Sequence, residues 1–394
     1  RPNQSNRAYS HDRAVEDTRV LYEAMKGLGT DEDAIYRILE HRRPPERQAL
    51  ERLFDLRYGP TFGPLRAALR DDLSGSELQR ALDALNAGRS EAPSVGSPDF
   101  NRRLDSLTNS TIRDGNRLDV LFDGVESFEA RKRLILGAEH SVYLQTFIFD
   151  DDATGWDTAR LLAQRAQDGL DVRVIFDGFG SSRADNELFE FMRAQGVQVM
   201  EYGDPLREFW DLNDRWHEKH LIVDGKTAIE GGMNIANEYA LGGSDALVFS
   251  RGPDAEMGWR DLDVQVEGPV VSDILAGFYQ NWKDVGGSAK RNMPVDATTL
   301  ETFPNGDQVR FVKHRPDEDG DDNTKHLHLE AIRSATDSIV IENAYFLPPS
   351  ELRNALINAA RRGVTVRIMT NSRQTNDMGP VSDAARYFYD DLIA

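Results

Sequence analysis

Residues 215–225 read Arg-Trp-His-Glu-Lys-His-Leu-Ile-Val-Asp-Gly and contain the pattern H-x-K-x-x-x-x-D, formed by His217, Lys219 and Asp224. We predict a strand over residues 219–224, and side chains two residues apart on a strand point to the same face. A neutral imidazole beside a fixed cation suits chemistry at phosphorus. The histidine can attack phosphorus or serve as the acid partner of that attack, while the lysine and an amide donor bind the phosphoryl oxygens. Asp224 is expected to support the motif strand and its hydrogen bonds.

A glycine pair and an amide follow the motif, as Gly231-Gly232-Met233-Asn234, after a second predicted strand over residues 227–230. Asn234 is the expected amide donor to phosphate. The alternative is that His217 is an incidental, half-exposed histidine on a strand. The combination of histidine, lysine, aspartate, glycine pair and asparagine at these spacings favours a catalytic motif.

This motif and several other segments resemble the phospholipase D superfamily, and in detail its cardiolipin-synthase-type branch, from about residue 115 to the last residue. The other segments are Asn116–Gly124, Thr146–Asp152, Trp259–Asp261 leading to Glu267–Pro269, and Asn343–Pro348. The resemblance implies an α/β fold of two lobes, each a mixed sheet flanked by helices and carrying one histidine motif. It also implies that one histidine forms a covalent phosphohistidine, that the other protonates the leaving alcohol, and that no catalytic metal takes part.

The same resemblance assigns roles outside the motif. Asp261 is expected to orient the imidazole of the opposite lobe and to set its tautomer; the alternative is an ordinary strand acid or an ion pair with Arg260. Phe147 and Tyr345 are expected to line the cleft that holds the lipid, unless they are simple core aromatics. Glu218 is placed with them among the substrate-lining residues.

An internal repeat supports two copies of one α/β unit. Residues 138–144 resemble residues 335–341, and further on residues 166–174 resemble residues 360–368. Two matches in the same order rarely arise by chance, and the alternation of short apolar runs with helical stretches after Phe100 also favours an α/β sandwich.

The second copy contains no second H-x-K-x-x-x-x-D motif. Counted from the repeat, that motif would fall near position 411, beyond Ala394. We therefore expect the second lobe to be incomplete in this chain and a separate polypeptide to carry the second motif. An incomplete, inactive site remains the alternative, and a homodimer that completes the site is less favoured.

The N-terminal region predicts an all-α domain that resembles a single annexin repeat, carried by Met25–Glu32, Arg47-Gln48, Tyr58-Gly59 and Asp71–Gly75. The resemblance implies a Ca²⁺ site at a membrane surface. Carbonyls of Met25, Gly27 and Gly29 and the carboxylate of Asp72 would supply oxygen ligands. The alternative is a glycine that ends a helix, followed by acids that solvate the start of the next one.

Composition and the positions of glycine, serine and proline predict four segments. They are a helical repeat over residues 11–88, a Gly/Ser/Pro-rich linker over 89–100, a first lobe over 101–295 and a second, truncated lobe over 296–394. Thr30 is the expected N-cap of the second helix, which Pro44-Pro45 is expected to stop.

The chain has a formal net charge of −20, no cysteine and no apolar run long enough to cross a bilayer. Such acidity disfavours nucleic acid as a partner, and contact with anionic lipid would need a local basic patch or a cation between the two negative surfaces. We expect a phospholipase D-type phosphodiesterase or phosphatidyltransferase that cleaves phospholipid headgroups, soluble and peripheral to the membrane, and bound to the phospholipid surface through Ca²⁺. Secretion or delivery as an effector is a weaker interpretation. The alternatives are a nuclease of the same superfamily and a catalytically inactive lipid-binding or scaffold protein.

Overall fold

The computed structural model describes residues 11–27, 29–86, 92–203, 215–241, 258–289, 296–315, 322–372, 379–389 and 392. The chain divides into two units. One combines residues 1–104 with residues 325–394, and the other comprises residues 105–324. The fold is α/β with a mixed sheet flanked by helices, and the N-terminal region is all-helical, as the sequence predicts.

The N-terminal region of the first unit is built from amphipathic helices. They are α1 (His11–Met25), α2 (Glu32–His41), α3 (Pro44–Phe62), α4 (Leu65–Asp72) and α5 (Gly75–Asn86). Their apolar faces enclose a common core in which Leu21, Ile35 and Phe54 are fully buried. These helices together bury what no single one could, since short helices depend on tertiary packing for their stability.

The start of α2 differs from the prediction by one residue. The Asp31 carboxylate, and not the Thr30 hydroxyl, accepts the hydrogen bond from the Ala34 amide at 3.0 Å. Thr30 instead donates to Asp72. Pro44 follows the end of α2 as predicted and also occupies the first turn of α3, where a missing amide hydrogen costs nothing.

The second unit is built on an eight-stranded mixed sheet in the order β4-β3-β2-β5-β6-β7-β1-β8. The strands are β1 (Ile112–Phe122), β2 (Ser141–Thr146), β3 (Asp171–Asp177), β4 (Gln198–Tyr202), β5 (His220–Val223), β6 (Thr227–Gly231), β7 (Leu262–Glu267) and β8 (Asp307–Arg310). β2, β3 and β4 run parallel, and the other pairings are antiparallel.

Helices cover both faces of this sheet. They are α7 (Asp123–Gly137), α8 (Ala153–Gln167), α9 (Asn186–Ala194), the short α10 (Asn237–Ala240) and α11 (Val271–Asp284), and α6 (Pro98–Thr108) precedes β1. Within β5, Leu221 packs in the core of one face and Ile222 in the core of the other. After His220 the strand is apolar, as Leu221, Ile222 and Val223, because both of its faces are buried.

Two predicted segment boundaries differ from the elements that the structure shows. The linker predicted over residues 89–100 overlaps α6, which begins at Pro98. β8 lies beyond the lobe boundary predicted at residue 296, yet it pairs with β1. The prediction missed this pairing because a four-residue edge strand has no strong sequence signal.

The C-terminal part of the first unit repeats the strand–helix–strand plan of β2, α8 and β3. It contains β9 (Ser338–Glu342), α13 (Ser350–Arg361) and β10 (Thr365–Met369), preceded by α12 (Asn323–Ser334) and followed by α14 (Gly379–Arg386). β9 and β10 pair in parallel, as β2 and β3 do. Among the described residues this sheet has two strands, and Val340 and Met369 remain exposed on it.

Candidate active site

His217 and Lys219 lie just before β5, which begins at His220, one residue later than the start predicted at Lys219. Lys219 is 3% exposed, and its Nζ lies 2.8 Å from the His217 carbonyl oxygen and 3.1 Å from His217 Nδ1. The two side chains are therefore in contact, whereas the sequence predicted only that they share one face of a strand. The backbone contact also holds the lysine in place before any substrate binds.

The electrostatics of this pair favour a neutral imidazole. Burial in the surrounding protein, and then the charge of Lys219, lower the pKa of His217 to about 4, although the residue as a whole is exposed. Burial likewise lowers the pKa of Lys219 to about 7, and the carboxylates of Asp261 and Asp263 oppose that shift. A phosphate beside Lys219 would favour its charged form, so substrate binding and lysine protonation support each other.

The hydrogen bond from Lys219 also bears on the tautomer of His217. When the ammonium donates to Nδ1, the ring proton of a neutral imidazole lies on Nε2. Attack on phosphorus by Nε2 requires the opposite tautomer, with a proton acceptor at Nδ1. The site is thus charged and oriented for phosphorus chemistry, but the group that sets the reactive tautomer is not Lys219.

Phe147 forms a wall beside the pair. Its ring centroid lies 4.6 Å from that of His217, and Lys219 Nζ lies 5.6 Å from it. The side chain is half-buried and belongs to the loop that follows β2. This contact puts Phe147 beside the motif, and its place in a lipid-binding cleft stays a prediction.

Asp261 lies directly over the glycine pair. A Cβ atom on Gly232 would come within 2.2 Å of Asp261 Oδ1, and one on Gly231 would come equally close to Asp263 Oδ1. At Gly231 such an atom would also lie 2.6 Å from the Leu262 carbonyl oxygen, so no side chain fits there, and at Gly232 a side chain fits only if the Asp261 carboxylate moves. Burial raises the pKa of Asp261, while the Lys219 charge acts against that rise. Arg260, the alternative partner, pairs with Asp123 instead.

A buried ion pair beneath the glycine pair was missed in the sequence. Arg131 Nη2 lies 2.7 Å from Asp263 Oδ2, and their side chains are 5% and 0% exposed. Ser127 donates to the same carboxylate, and Arg131 also donates to the Met233 carbonyl at 3.2 Å. The available signal was Asp263 itself, an acid two residues after Asp261 that is fully buried on β7.

Asn234 and Asp224 both stabilise the backbone around the motif. Asn234 is 1% exposed, accepts from the Ile148 amide at 2.9 Å and donates to the Tyr239 hydroxyl at 2.8 Å. Its amide is thus engaged inside the protein, whereas the sequence suggested a phosphate ligand. Asp224, at φ +54°, accepts from the backbone amides of residues 139, 140 and 141, which agrees with the structural role expected for it.

Glu218 lies in a buried polar network and not in the cleft expected from the sequence. Its carboxylate accepts from Asn281 at 2.6 Å and from Gln145 at 3.1 Å, and it lies 3.4 Å from His220 Nε2. His220 Nδ1 lies 2.7 Å from Glu230. Burial disfavours the charged imidazole, but the two glutamates outweigh it and raise the pKa of His220 to about 10.

Tyr345 belongs to the other unit and is 41% exposed. Its backbone amide donates to the Asn343 side chain at 2.9 Å in the turn after β9. The place of Tyr345 in a lipid cleft therefore stays a prediction.

The residues expected to bind Ca²⁺ lie around the turn between α1 and α2. Gly27 and Gly29 have φ of +110° and +95°, values that favour glycine, and Met25 is the last residue of α1. Asp72, at the end of α4, accepts a 2.8 Å hydrogen bond from Thr30 and so lies beside this turn. The donor set fits a hard cation in kind, with one carboxylate and backbone carbonyls.

Comparison with known proteins identifies the two parts of the chain. The family described as "Cardiolipin synthase, PLD-like domain" matches residues 132–256 and 328–394, ranges that include the His217 motif and the second copy of the repeat. The chain belongs to the phospholipase D superfamily. Its cardiolipin synthase-like region follows a segment, residues 16–85, that matches the annexin family.

Two bacterial cardiolipin synthases are similar to this chain in sequence. The cardiolipin synthase of Halalkalibacterium halodurans is 29% identical over 73% of this chain and 55% of its own length. Cardiolipin synthase B of Shigella flexneri is 30% identical over 71% of this chain and 65% of its own length. The chain thus spans between about half and two thirds of these relatives.

Phosphatidylserine synthase from Haemophilus influenzae is a solved structure similar to this chain, with 15% identity, coverage of 74% of this chain and 72% of that one, and a TM-score of 0.49.

Within the described part of the chain, no helix combines the length and the apolarity that a membrane span requires.

Proposed function

We propose that this chain carries one half of the active site of a phosphatidyltransferase that acts on phospholipid. The observation that carries the proposal is the contact between a neutral His217 and the buried Lys219 within the motif shared with the cardiolipin synthase-like family. A neutral imidazole is the form that a nucleophile needs, and a buried ammonium is suited to a phosphoryl oxygen.

The reaction proceeds in two displacements. In the first, His217 Nε2 attacks phosphorus, the N–P bond forms, and the P–O bond to the headgroup alcohol breaks while a second histidine donates a proton to the leaving oxygen. In the second, an acceptor alcohol loses its proton to that second histidine and attacks phosphorus, and the N–P bond breaks. His217 is regenerated, and no metal takes part. Because Lys219 contacts Nδ1 in the described geometry, a carboxylate of the second lobe must supply the acceptor at Nδ1 during the first step. The same acid–histidine pairing, in reciprocal form, is the role proposed for Asp261.

Transfer is preferred to hydrolysis because the relatives bear the name of a synthase. Vesicles of phosphatidylglycerol distinguish the two outcomes, since transfer yields cardiolipin and glycerol whereas hydrolysis yields phosphatidic acid and glycerol. With the complete enzyme, His217→Ala and Lys219→Ala should each reduce turnover by about 10² or more. Near-normal turnover in His217→Ala would remove the basis of the proposal.

The second histidine is proposed to come from a separate polypeptide that carries its own H-x-K-x-x-x-x-D motif. Residues 1–394 contain one such motif. Among the described residues, the second copy of the repeat forms the two-stranded sheet of β9 and β10, whereas the first copy belongs to a sheet of eight strands. Denaturing electrophoresis and intact mass of the active material should show two co-purifying pieces. An active monomer of this chain with nothing bound would contradict the two-histidine mechanism.

The annexin-like segment is proposed to recruit the enzyme to anionic lipid through Ca²⁺ at Met25, Gly27, Gly29 and Asp72. A cation at that loop would offset the repulsion between anionic lipid and a chain of net charge −20. Asp72→Asn should abolish Ca²⁺-dependent sedimentation with anionic vesicles and leave turnover of a short-chain soluble substrate unchanged. If a chelator stopped both reactions equally, the metal-free mechanism would be wrong.

A nuclease activity is the second candidate within the superfamily, and the net charge disfavours it. Plasmid cleavage measured beside vesicle turnover separates the two. Secretion or delivery of the protein has no support beyond the sequence and stays a hypothesis.

A further inference from the structure

Three carboxylates converge on the loop that joins β2 to α8. Asp150 and Asp152 belong to that loop, and Glu238 lies on α10. Each can offer one oxygen such that the three oxygens lie within 4.8 Å of one another. Oxygens bound to one Ca²⁺ at about 2.3–2.6 Å fall within that spacing.

The backbone holds these side chains in place without any ion. The Asp150 amide donates to the Ile235 carbonyl at 3.0 Å. Asp152 caps α8 by accepting from the Gly155 amide at 2.9 Å, and its second oxygen accepts from the Asn237 amide. The loop, the start of α8 and the start of α10 therefore present the carboxylates as a preformed group.

The charge of the group is only partly compensated within the described residues. Arg183 Nη2 lies 2.9 Å from Asp150 Oδ2 and 3.2 Å from Glu238 Oε1, so one guanidinium faces three carboxylates and a charge of −2 remains. Burial raises the pKa of Asp150, and the charges of Glu238 and Asp152 add to that rise although Arg183 opposes it.

One carboxylate oxygen of the group, Asp150 Oδ1, is buried without a hydrogen-bond partner among the described residues. Asp150 as a whole is 9% exposed. A buried carboxylate oxygen without a donor is costly, and buried polar atoms in proteins nearly always have a partner. A divalent cation supplies a partner for that oxygen and balances the remaining charge of −2.

We propose that Asp150, Asp152 and Glu238 bind a hard divalent cation, with Ca²⁺ as the preferred ion. The ion would tie the loop after β2 to α10. That loop begins at Phe147, which contacts His217, so the ion would stabilise a segment beside the active site. Turnover of a soluble substrate would not require the ion, because the phosphorus chemistry stays with His217 and Lys219. This site is separate from the annexin-like turn and does not depend on the proposed transfer reaction.

The test uses the full chain carrying Asp72→Asn, which removes the carboxylate of the annexin-like turn. Calorimetric titration with CaCl₂ should show one bound equivalent, and Ca²⁺ should raise the midpoint of thermal unfolding relative to chelator. Asp150→Asn and Glu238→Gln should each weaken binding about tenfold or more, because ligand charge sets the affinity of such sites. Asp157→Asn, an exposed acid on α8, is the matched control and should leave binding unchanged.

Arg183→Gln separates a cation site from a simple ion-pair cluster. If the carboxylates bind Ca²⁺, removing the competing guanidinium should tighten binding. If Arg183 is their sole counter-ion, the variant should lower the unfolding midpoint and leave Ca²⁺ binding as it was. That result, or a titration in which Asp150→Asn and Glu238→Gln bind Ca²⁺ like the parent chain, would overturn the proposal.

Discussion

Removing one partner of the buried Arg131–Asp263 pair should be among the most destabilising single substitutions in the unit that holds His217. Both side chains are at least 95% buried and 2.7 Å apart, so Asp263→Asn leaves a guanidinium charge without its partner in a low-dielectric interior. Breaking a buried ion pair in this way typically costs about 3–5 kcal/mol. The substitution keeps the shape of the side chain, so the loss reports on charge and not on a cavity.

Tryptophan fluorescence during urea unfolding isolates this effect. All five tryptophans, Trp156, Trp210, Trp216, Trp259 and Trp282, belong to residues 105–324, so their emission follows that unit and not the N-terminal helices. Separate detection matters because a chain with two units does not have to unfold in one step.

Two control variants test whether the loss of stability comes from the unpaired buried charge. Arg131→Met combined with Asp263→Asn removes both charges and should recover most of the lost stability, because a buried pair replaced as a whole is often close to neutral. Glu267→Gln breaks a more exposed pair with Arg117 on the same sheet and should cost less than about 1 kcal/mol. A loss below about 1 kcal/mol in Asp263→Asn, or a double variant as unstable as the single one, would refute the reasoning.

Three further outcomes follow from the site. The pKa of His217 is lowered to about 4, so NMR titration should show a neutral ring down to that pH; unfolded chains bind this proton more readily, so its contribution lowers stability as pH falls below 6.5, and Lys219→Met should raise the pKa. The pKa of His220 is raised to about 10, so the stability it contributes is fully present below pH 6.5 and is lost as pH rises through 10; in His220→Gln, urea unfolding measured at pH 6, 8 and 10 should lose that slope. Gly232→Ala should abolish vesicle turnover, since its Cβ would come within 2.2 Å of Asp261, and normal turnover would show that the aspartate can move aside without consequence.

The sequence alone was sufficient for the elements with strong local signals. The H-x-K-x-x-x-x-D spacing and the glycine pair identified the candidate site, because these residue types rarely combine for structural reasons. The repeated segments around Val142 and Ile339 predicted two copies of a strand–helix–strand unit, and the family comparison and the parallel pairs β2–β3 and β9–β10 agree with that plan. Apolar runs located the inner strands because those strands are buried on both faces.

Only the tertiary structure decided what each polar side chain of the site does. Sequence spacing brings His217 and Lys219 together, but the pKa of His217 depends on burial and on Lys219, and the pKa of Lys219 depends on burial and on the distant acids Asp261 and Asp263. Asn234 and Glu218 form internal hydrogen bonds because the fold places their partners, Tyr239 and Asn281, beside them. The Arg131–Asp263 pair joins residues 132 positions apart, and no local pattern specifies a contact between a helix and a strand at that separation. Local spacing determines which groups are available, whereas burial and long-range partners determine their charge, their orientation and therefore their chemistry.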